Sequence, residues 1–228
     1  MSNPLLDKLS QDPLRKSLIQ HEFFTLIKTK DVTPEDAGLF VGQWWHPLHY
    51  FPDFLSRTIA IVPILEVKTA ISKILYQELG ENNPAKAHER LYIETMQNAG
   101  FSRPTITDTP PSRATERLVA GYRDASEAPL SALGFVYGTE VADLVMVSGI
   151  GQAVRRATGA VNLPWVDIHI TQEPDHVDEA NRAMGSLLSE EDEANVHRSA
   201  KEMWTLWIDF FSTLRDQFVS NRRAVGIA

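Results

Sequence analysis

Apolar residues recur along most of the chain at spacings of three and four, the period of an α-helix that buries one face. The pattern predicts helices over residues 14–27, 34–61, 64–79, 84–99, 114–124 and 165–178, and a last amphipathic helix after Ser189. The stretch from Pro129 to Arg156 is apolar nearly all round, which predicts a helix in the centre of the fold. No stretch alternates as a strand does. We therefore predict an all-α bundle of about seven helices, a single domain over residues 1–228.

Several residues mark where these helices begin, bend and end. Thr33 precedes a proline and two acids, the sequence of a capped helix start, whereas Gly80 is typical of a left-handed helix end. Pro47 and Pro52 each remove a backbone donor, so we expect kinks or two shorter helices there. The residues after Gly80 are poor helix formers, which makes the start of the next helix marginal.

Charge and composition narrow the classes of partner. The chain has 22 basic and 30 acidic residues, a net charge of -8, and no local cluster of Lys or Arg, which argues against nucleic acid. It has no cysteine, so the cytoplasm is the default compartment. Its longest apolar run, Ile59–Leu65, is short and interrupted by Pro63, so we expect neither a signal peptide nor a membrane partner.

The stretch Trp165–Asp178 holds the first candidate for chemistry. On a helix, His169, Glu173 and His176 stand at i, i+4 and i+7 and share one face. Neutral imidazole with carboxylate suits iron, manganese or zinc, and the absence of thiols argues against a structural zinc cage or an iron-sulfur cluster. A solvated polar stripe is the alternative.

Two further pieces join this triple. Glu140 lies among apolar residues of the central helix, where an ionised carboxylate is costly unless it is paired or bound to metal. A buried ion pair with Arg, or a solvated position, is the alternative. Glu81 and His88 are two helical turns apart, a spacing that alone indicates only solvated surface. Together the pieces supply three carboxylates and three imidazoles, about what two adjacent metal ions need, and so suggest a di-metal oxidase site.

The order of these residues resembles a known family. The chain contains three motifs in this order. The first is E-x6-H, within G-E-N-N-P-A-K-A-H-E-R-L-Y; the second is a single E, within G-T-E-V-A; the third is H-x3-[D/E]-x2-H, within D-I-H-I-T-Q-E-P-D-H. The chain resembles the heme-oxygenase-like diiron oxidases and oxygenases, relatives of the thiaminase-like (TenA-like) and pyrroloquinoline-quinone-synthase-like (PqqC-like) proteins. The resemblance implies iron ligands at Glu81, His88, Glu140, His169, Glu173 and His176. It implies a bridging role for Glu140, and it places Glu173 where many members have Asp.

The resemblance also implies the cofactors and a range of reactions. Two iron ions, cycling between Fe2+ and Fe3+, would use dioxygen as co-substrate; an external reductant and a manganese-iron pair stay open. Thiaminase-type hydrolysis needs a nucleophilic cysteine, which this chain lacks. The remaining activities imply oxidation of an amino-acid-derived substrate in small-molecule biosynthesis, by N-oxygenation, C-C cleavage or rearrangement such as nitrile formation. Oxidative decarboxylation of a fatty acid is the alternative within the family.

Other classes of protein remain open at this stage. A helical protein that binds metal or a partner without turnover would keep the same ligands, and a cofactor-binding oxidase without metal would bind no stoichiometric iron. For an enzyme, we expect a small-molecule substrate and leave a homodimer open. Tyr137, one turn before Glu140, and Trp45, in an aromatic and histidine-rich run, are the candidate substrate contacts. Core packing is the alternative for both.

Overall fold

The computed structural model describes residues 4–171 and 189–225, which are mostly helical and contain no strand. The helices are α1 (Pro4–Gln11), α2 (Pro13–Ile19), α3 (Glu22–Thr29), α4 (Pro34–Ile61), α5 (Leu65–Glu78), α6 (His88–Asn98), α7 (Arg103–Thr107), α8 (Arg113–Ala125), α9 (Pro129–Glu140), α10 (Asp143–Thr158), α11 (residues 164–171) and α12 (Glu190–Val225). A 3-10 turn, Pro84–Lys86, precedes α6. The all-α prediction is confirmed, with more and shorter helices than the sequence suggested.

The first long helix, α4, begins at the predicted cap and continues through both prolines. The Asp36 amide donates to Thr33 Oγ1 at 3.1 Å, and the Thr33 amide donates back to Asp36 Oδ2 at 3.4 Å. The helix then runs for 28 residues past Pro47 and Pro52 without dividing. Because each proline removes only one backbone hydrogen bond, burial of the helix between its neighbours outweighs that cost.

Two other predicted helices are wrong, because the chain forms two helices where the pattern predicted one. The helix predicted over residues 14–27 separates into α2 and α3, because His21 Nδ1 accepts from the Phe23 amide at 3.2 Å and caps α3. The helix predicted from Pro129 to Arg156 separates into α9 and α10, which meet at a bend of 50°. Arg15 Nε donates to the Val141 carbonyl at 2.6 Å and satisfies an acceptor at this bend.

The long C-terminal helix, α12, packs along α9 and also contacts α8, α2 and α3. Trp204 Nε1 donates to the Gly138 carbonyl at 2.9 Å and joins α12 to α9. The hydrophobic core has many aromatic rings, among them Phe40, Trp44 and Trp207. Within the described ranges no single helix is both long and apolar enough to cross a bilayer, and α9 with α10 meets that test only as a bent pair.

The turn after α5 reverses the chain through a left-handed backbone. Gly80 has φ +85°, and Glu81 and Asn82 have φ values of 54° and 69°. A Cβ at Gly80 would lie 2.3 Å from the Asn83 carbonyl oxygen, so only glycine fits there. This turn brings the end of α5 back beside the start of α6.

Candidate metal centre

Three ligand-type side chains meet where α5, α6 and α11 converge. Donor atoms of Glu78, His88 and His169 all lie within 4.8 Å of one another. Glu78 Oε1 is 3.1 Å from His88 Nδ1, and the rings of His88 and His169 have centroids 4.6 Å apart. All three residues are buried, and His88 is only 1% exposed. Two imidazoles and a carboxylate this close together can bind one transition-metal ion.

The chain positions these groups through the ends of its helices. Glu78 is the last residue of α5 and His88 the first residue of α6, so the left-handed turn between them places both at the same end of the bundle. His169 comes from α11, which reaches the site from a distant part of the sequence.

A hydrogen bond within α11 selects the tautomer of His169. Its Nδ1 lies 2.7 Å from the Trp165 carbonyl oxygen. Because a carbonyl only accepts, the proton resides on Nδ1 and the lone pair on Nε2. A neutral imidazole oriented by a backbone carbonyl is the usual form of a metal-binding histidine.

Two more carboxylates lie beside this group, at the bend between α9 and α10. Burial, followed by the charges of Asp143 and Glu78, raises the pKa of Glu140 well above its usual range. Burial and the charge of Glu78 raise the pKa of Asp143 to about 7, with a smaller opposing effect from His88. Three acids in one buried place are unfavourable unless protons or cations neutralise them.

These groups line a cleft of about 590 Å³, counting the part of it that is open to solvent. The polar lining comprises Glu78, Tyr122, Thr139, Glu140, Asp143 and His169. The apolar lining comprises Trp44, Pro47, Leu48, Phe51, Trp165 and Trp207. Apolar walls with a few polar groups among them are typical of sites that bind small organic molecules.

Part of the cleft lining is held by a directed chain of hydrogen bonds. Thr139 Oγ1 donates to the Phe135 carbonyl at 2.9 Å, so the Tyr122 hydroxyl, 2.8 Å from that oxygen, is the donor to it. Trp207 Nε1 donates in turn to the Tyr122 hydroxyl at 3.1 Å. Trp165 differs: its indole N-H is buried and has no acceptor among the described residues. That donor is available to a bound molecule or to water.

The structure brings together three of the six predicted ligands, His88, Glu140 and His169. Glu173 and His176 lie outside the described residues. Glu81 is exposed and in the left-handed turn, and Glu78 stands in the cluster instead. The difference arises because the spacing of seven assumes one continuous α-helix from Glu81 to His88, whereas the chain between them forms a left-handed turn and a short 3-10 turn.

Glu78 does carry a sequence signal. It shares the i, i+3 and i+7 face of α5 with Ile71 and Ile74, both of them buried. An acid on the apolar face of a helix is a stronger indication of a binding site than an acid at a chosen spacing from a histidine, because a buried carboxylate requires a partner.

Neither predicted substrate contact lines the cleft. Tyr137 is buried in α9, where burial and the charge of Glu140 raise its pKa. Trp45 packs in the core and stacks on His49 with centroids 5.0 Å apart. Tyr122 and Trp44 line the cleft instead. Trp44 and Trp45 point about 100° apart on one helix, so only one of them can face the cleft.

The donor set fits iron. Imidazole nitrogen and carboxylate oxygen are present without thiolate, which is the combination of non-heme iron sites and excludes an iron-sulfur cluster. The two imidazoles and three carboxylates that meet here come from five helices, α5, α6, α9, α10 and α11. Bundle proteins with dinuclear iron build their sites in this way, from inward-facing residues of several helices.

Comparison with known proteins agrees with this donor chemistry. A family model described as iron-containing redox enzyme matches residues 39–208, a span that includes Glu78, His88, Glu140 and His169. The chain belongs to this family of iron-containing redox enzymes. No curated protein matches the chain significantly.

Solved structures establish the fold as heme-oxygenase-like. A CADD-like protein of unknown function from Nostoc punctiforme has a TM-score of 0.78 at 15% identity, over 93% of this chain and 94% of that one. A domain of unknown function with a heme-oxygenase-like fold from Shewanella denitrificans has a TM-score of 0.75 at 14% identity, over 97% and 94%. A TenA homolog from Pseudomonas syringae has a TM-score of 0.72 at 11% identity, over 94% of both chains.

Proposed function

We propose that this protein is a non-heme diiron enzyme that uses dioxygen to oxidise a small molecule, an amino-acid-derived amine in preference to a fatty acid. One observation carries the proposal: buried imidazoles and carboxylates open onto an aromatic cleft in a chain of an iron-containing redox family. A metal site that served structure alone would have no need of an open cleft with aromatic walls at its side.

The ligands divide between two metal positions. Glu78, His88 and His169 would hold one iron ion, since their donor atoms are already within 4.8 Å of one another. Glu140 lies near enough to Glu78 to sense its charge and would bind the second ion or bridge the two. Glu173 and His176, four and seven residues after His169 in the sequence, are proposed to complete the set. When bound, the iron pair supplies the electrons that reduce dioxygen and the oxidising power that acts on the substrate.

The protein's own residues position the substrate and exclude water. Trp44, Phe51 and Trp207 offer flat apolar surface to the substrate, and the acids line the same cleft. Aromatic faces next to carboxylates favour a cationic amine over a free carboxylate. The unpartnered N-H of Trp165 supports an acceptor atom on the substrate.

A fatty acid is the second candidate, because Leu48 and Phe51 provide wall surface suited to a hydrocarbon chain. It differs from an amine in the charge brought to the cleft. Among the described residues no Lys or Arg lines the cleft, so a fatty carboxylate would have to bind to the metal itself. This is the reason to rank the amine first.

Anaerobic loading with ferrous iron tests the proposal. We expect about two ferrous ions per chain, and dioxygen should then produce a transient visible absorption band. Amino acids and amines should accelerate the decay of that band, whereas fatty acids should not; the reverse ranking would favour the fatty-acid candidate. His88→Ala should lose most of the bound iron, and His49→Ala, which alters an exposed histidine, should retain it. Stoichiometric iron that never consumes dioxygen with any substrate would indicate a non-catalytic metal protein.

A further inference from the structure

Asp143 is a polar residue of the cleft that neither the sequence motifs nor the predicted ligand set include. It is the first residue of α10, three positions after Glu140, and it lines the same cleft as Glu78, Glu140 and His169. Its carboxylate makes no hydrogen bond or ion pair with any described residue, although it is half-buried. A carboxylate in that situation is expected to be bound by something the cleft takes up.

We propose that Asp143 is an additional carboxylate ligand of the dinuclear centre, and that with Glu140 it serves the metal position not occupied by the Glu78, His88 and His169 group. The inference rests on the proposed function, because it assumes a second metal ion. The group of three donors already provides one ion with two nitrogens and an oxygen. Among the predicted ligands of the described residues only Glu140 remains for the second position, and Asp143 adds an oxygen donor on the same cleft.

The bend between α9 and α10 is what gives Asp143 this position. Val141 and Ala142 separate the two helices, and the chain turns by 50° there. Arg15 Nε holds the bend from α2 by donating to the Val141 carbonyl at 2.6 Å. The bend thus places two carboxylates, at the end of one helix and the start of the next, on the same cleft.

A purely structural role for Asp143 makes a different prediction. An acid in the first turn of a helix stabilises it by interaction with the helix dipole, and Ala142 gives α10 no side-chain cap. On that account, neutralising Asp143 destabilises the metal-free protein and leaves metal binding unchanged. On ours, neutralising it relieves repulsion from Glu78 and Glu140, so the metal-free protein becomes more stable and metal binding weakens.

Asp143→Asn, which keeps the shape of the side chain, separates these accounts. We expect the melting temperature of the metal-free protein to rise by several degrees and ferrous iron binding to fall from about two ions per chain to about one. The rise in melting temperature that iron produces should shrink accordingly. Manganese(II), which needs no oxygen exclusion, provides a second probe of the same stoichiometry.

Glu190→Gln is the matched control, because Glu190 is also the first residue of a helix and lies exposed, away from the cleft. It should slightly lower the melting temperature and leave metal binding as it was. The inference is overturned if Asp143→Asn behaves like Glu190→Gln, or if it binds as much iron as the wild type with the same affinity. A wild type that binds no iron would overturn the proposed function as well, so the two failures are distinguishable.

Discussion

The bundle contains two buried polar regions that differ in how their groups are satisfied. In the first, Gln43 of α4 is 2% exposed and makes three hydrogen bonds. Its Nε2 donates to the Pro110 carbonyl at 2.8 Å, and its Oε1 accepts from the Ser112 amide at 2.8 Å and from Thr115 Oγ1 at 2.6 Å. Every partner is neutral, and the region fastens α4 to the start of α8.

The second region, around Glu140, is as deeply buried and has the opposite character. Glu140 is 5% exposed, and its burial, followed by the charges of Asp143 and Glu78, raises its pKa. Burial of polar groups is therefore not in itself a mark of function in this protein. A buried group satisfied by neutral partners stabilises the fold, whereas buried acids that repel one another reduce its stability and provide a place for cations.

The largest expected effect is a loss of iron affinity when the acid of the cluster is changed, compared with the acid of the neighbouring turn. Glu78→Gln should reduce iron affinity by about 100-fold or more, because loss of residues that merely support a metal ligand already costs 10- to 100-fold. Glu81→Gln should bind iron normally, since Glu81 is exposed and outside the cluster. Iron content after anaerobic loading and dialysis measures both variants. Equal losses in the two variants, or a loss confined to Glu81→Gln, would mean that the turn rearranges when metal binds.

The pH dependence of stability should show the second largest effect. The pKa of Asp143 is about 7 in the folded protein against 3.8 as the ordinary value, and the pKa of Glu140 is raised as well. The folded state then holds more protons than the unfolded state between these values, so stability is greatest at low pH and is lost as pH rises. We expect the melting temperature of the metal-free protein to fall by on the order of 10 °C from pH 5 to pH 7.5.

Metal should reverse this trend, because a carboxylate must lose its proton to bind. With saturating manganese(II), the melting temperature should be higher at pH 7.5 than at pH 5. Differential scanning calorimetry of both forms measures the two slopes. Parallel slopes with and without metal would show that the acids around Glu140 and the metal do not interact.

The sequence predicted this contrast only in part. Apolar periodicity predicted the helices and the burial of Glu140, because a helix that is apolar nearly all round is stable only in the interior of the bundle. Of the pair Glu81 and His88, the histidine lies in the cluster, whereas the acid of the cluster is Glu78, three residues before Glu81. Helical periodicity cannot apply across a left-handed turn, and the positive φ values of Glu81 and Asn82 follow from contacts that only the folded chain makes.

For a related reason, the sequence could not predict that Asp143 lines the cleft or which aromatic residues form its wall. Asp143 lines the cleft because the chain bends after Glu140, and Arg15, 126 residues before Val141, holds the bend. Likewise, the sequence pointed to an aromatic wall within Trp44–Phe51, but only the rotation of α4 in the bundle decides that Trp44 and not Trp45 faces the cleft. Long-range contacts determine such details, and local pattern does not contain them.

A mutation in the neutral region should change stability without changing metal binding. Gln43→Leu leaves Thr115 Oγ1 and the Ser112 amide without their acceptor, which should lower the free energy of unfolding by about 2 kcal/mol. Urea unfolding of the metal-free protein measures this loss, and iron content should stay at the wild-type value. Because Asp143→Asn is expected to raise stability and lower iron binding, the two variants should shift stability in opposite directions, and only Asp143→Asn should change iron binding. A Gln43→Leu variant that also lost iron would show that the two regions are not independent.

The smallest effect concerns the turn that joins Glu78 to His88. Gly80→Ala puts a side chain at φ +85° and 2.3 Å from the Asn83 carbonyl oxygen, so it should cost about 1–2 kcal/mol in unfolding free energy. Gly159→Ala is the matched control, since Gly159 has φ +74° but no atom within 4 Å of the added carbon. Both variants lose backbone freedom, but only Gly80→Ala should also weaken iron binding, by roughly 10-fold, because the turn sets the distance between two ligands. Equal iron affinities in the two variants would mean that metal binding, rather than the turn, brings Glu78 and His88 together.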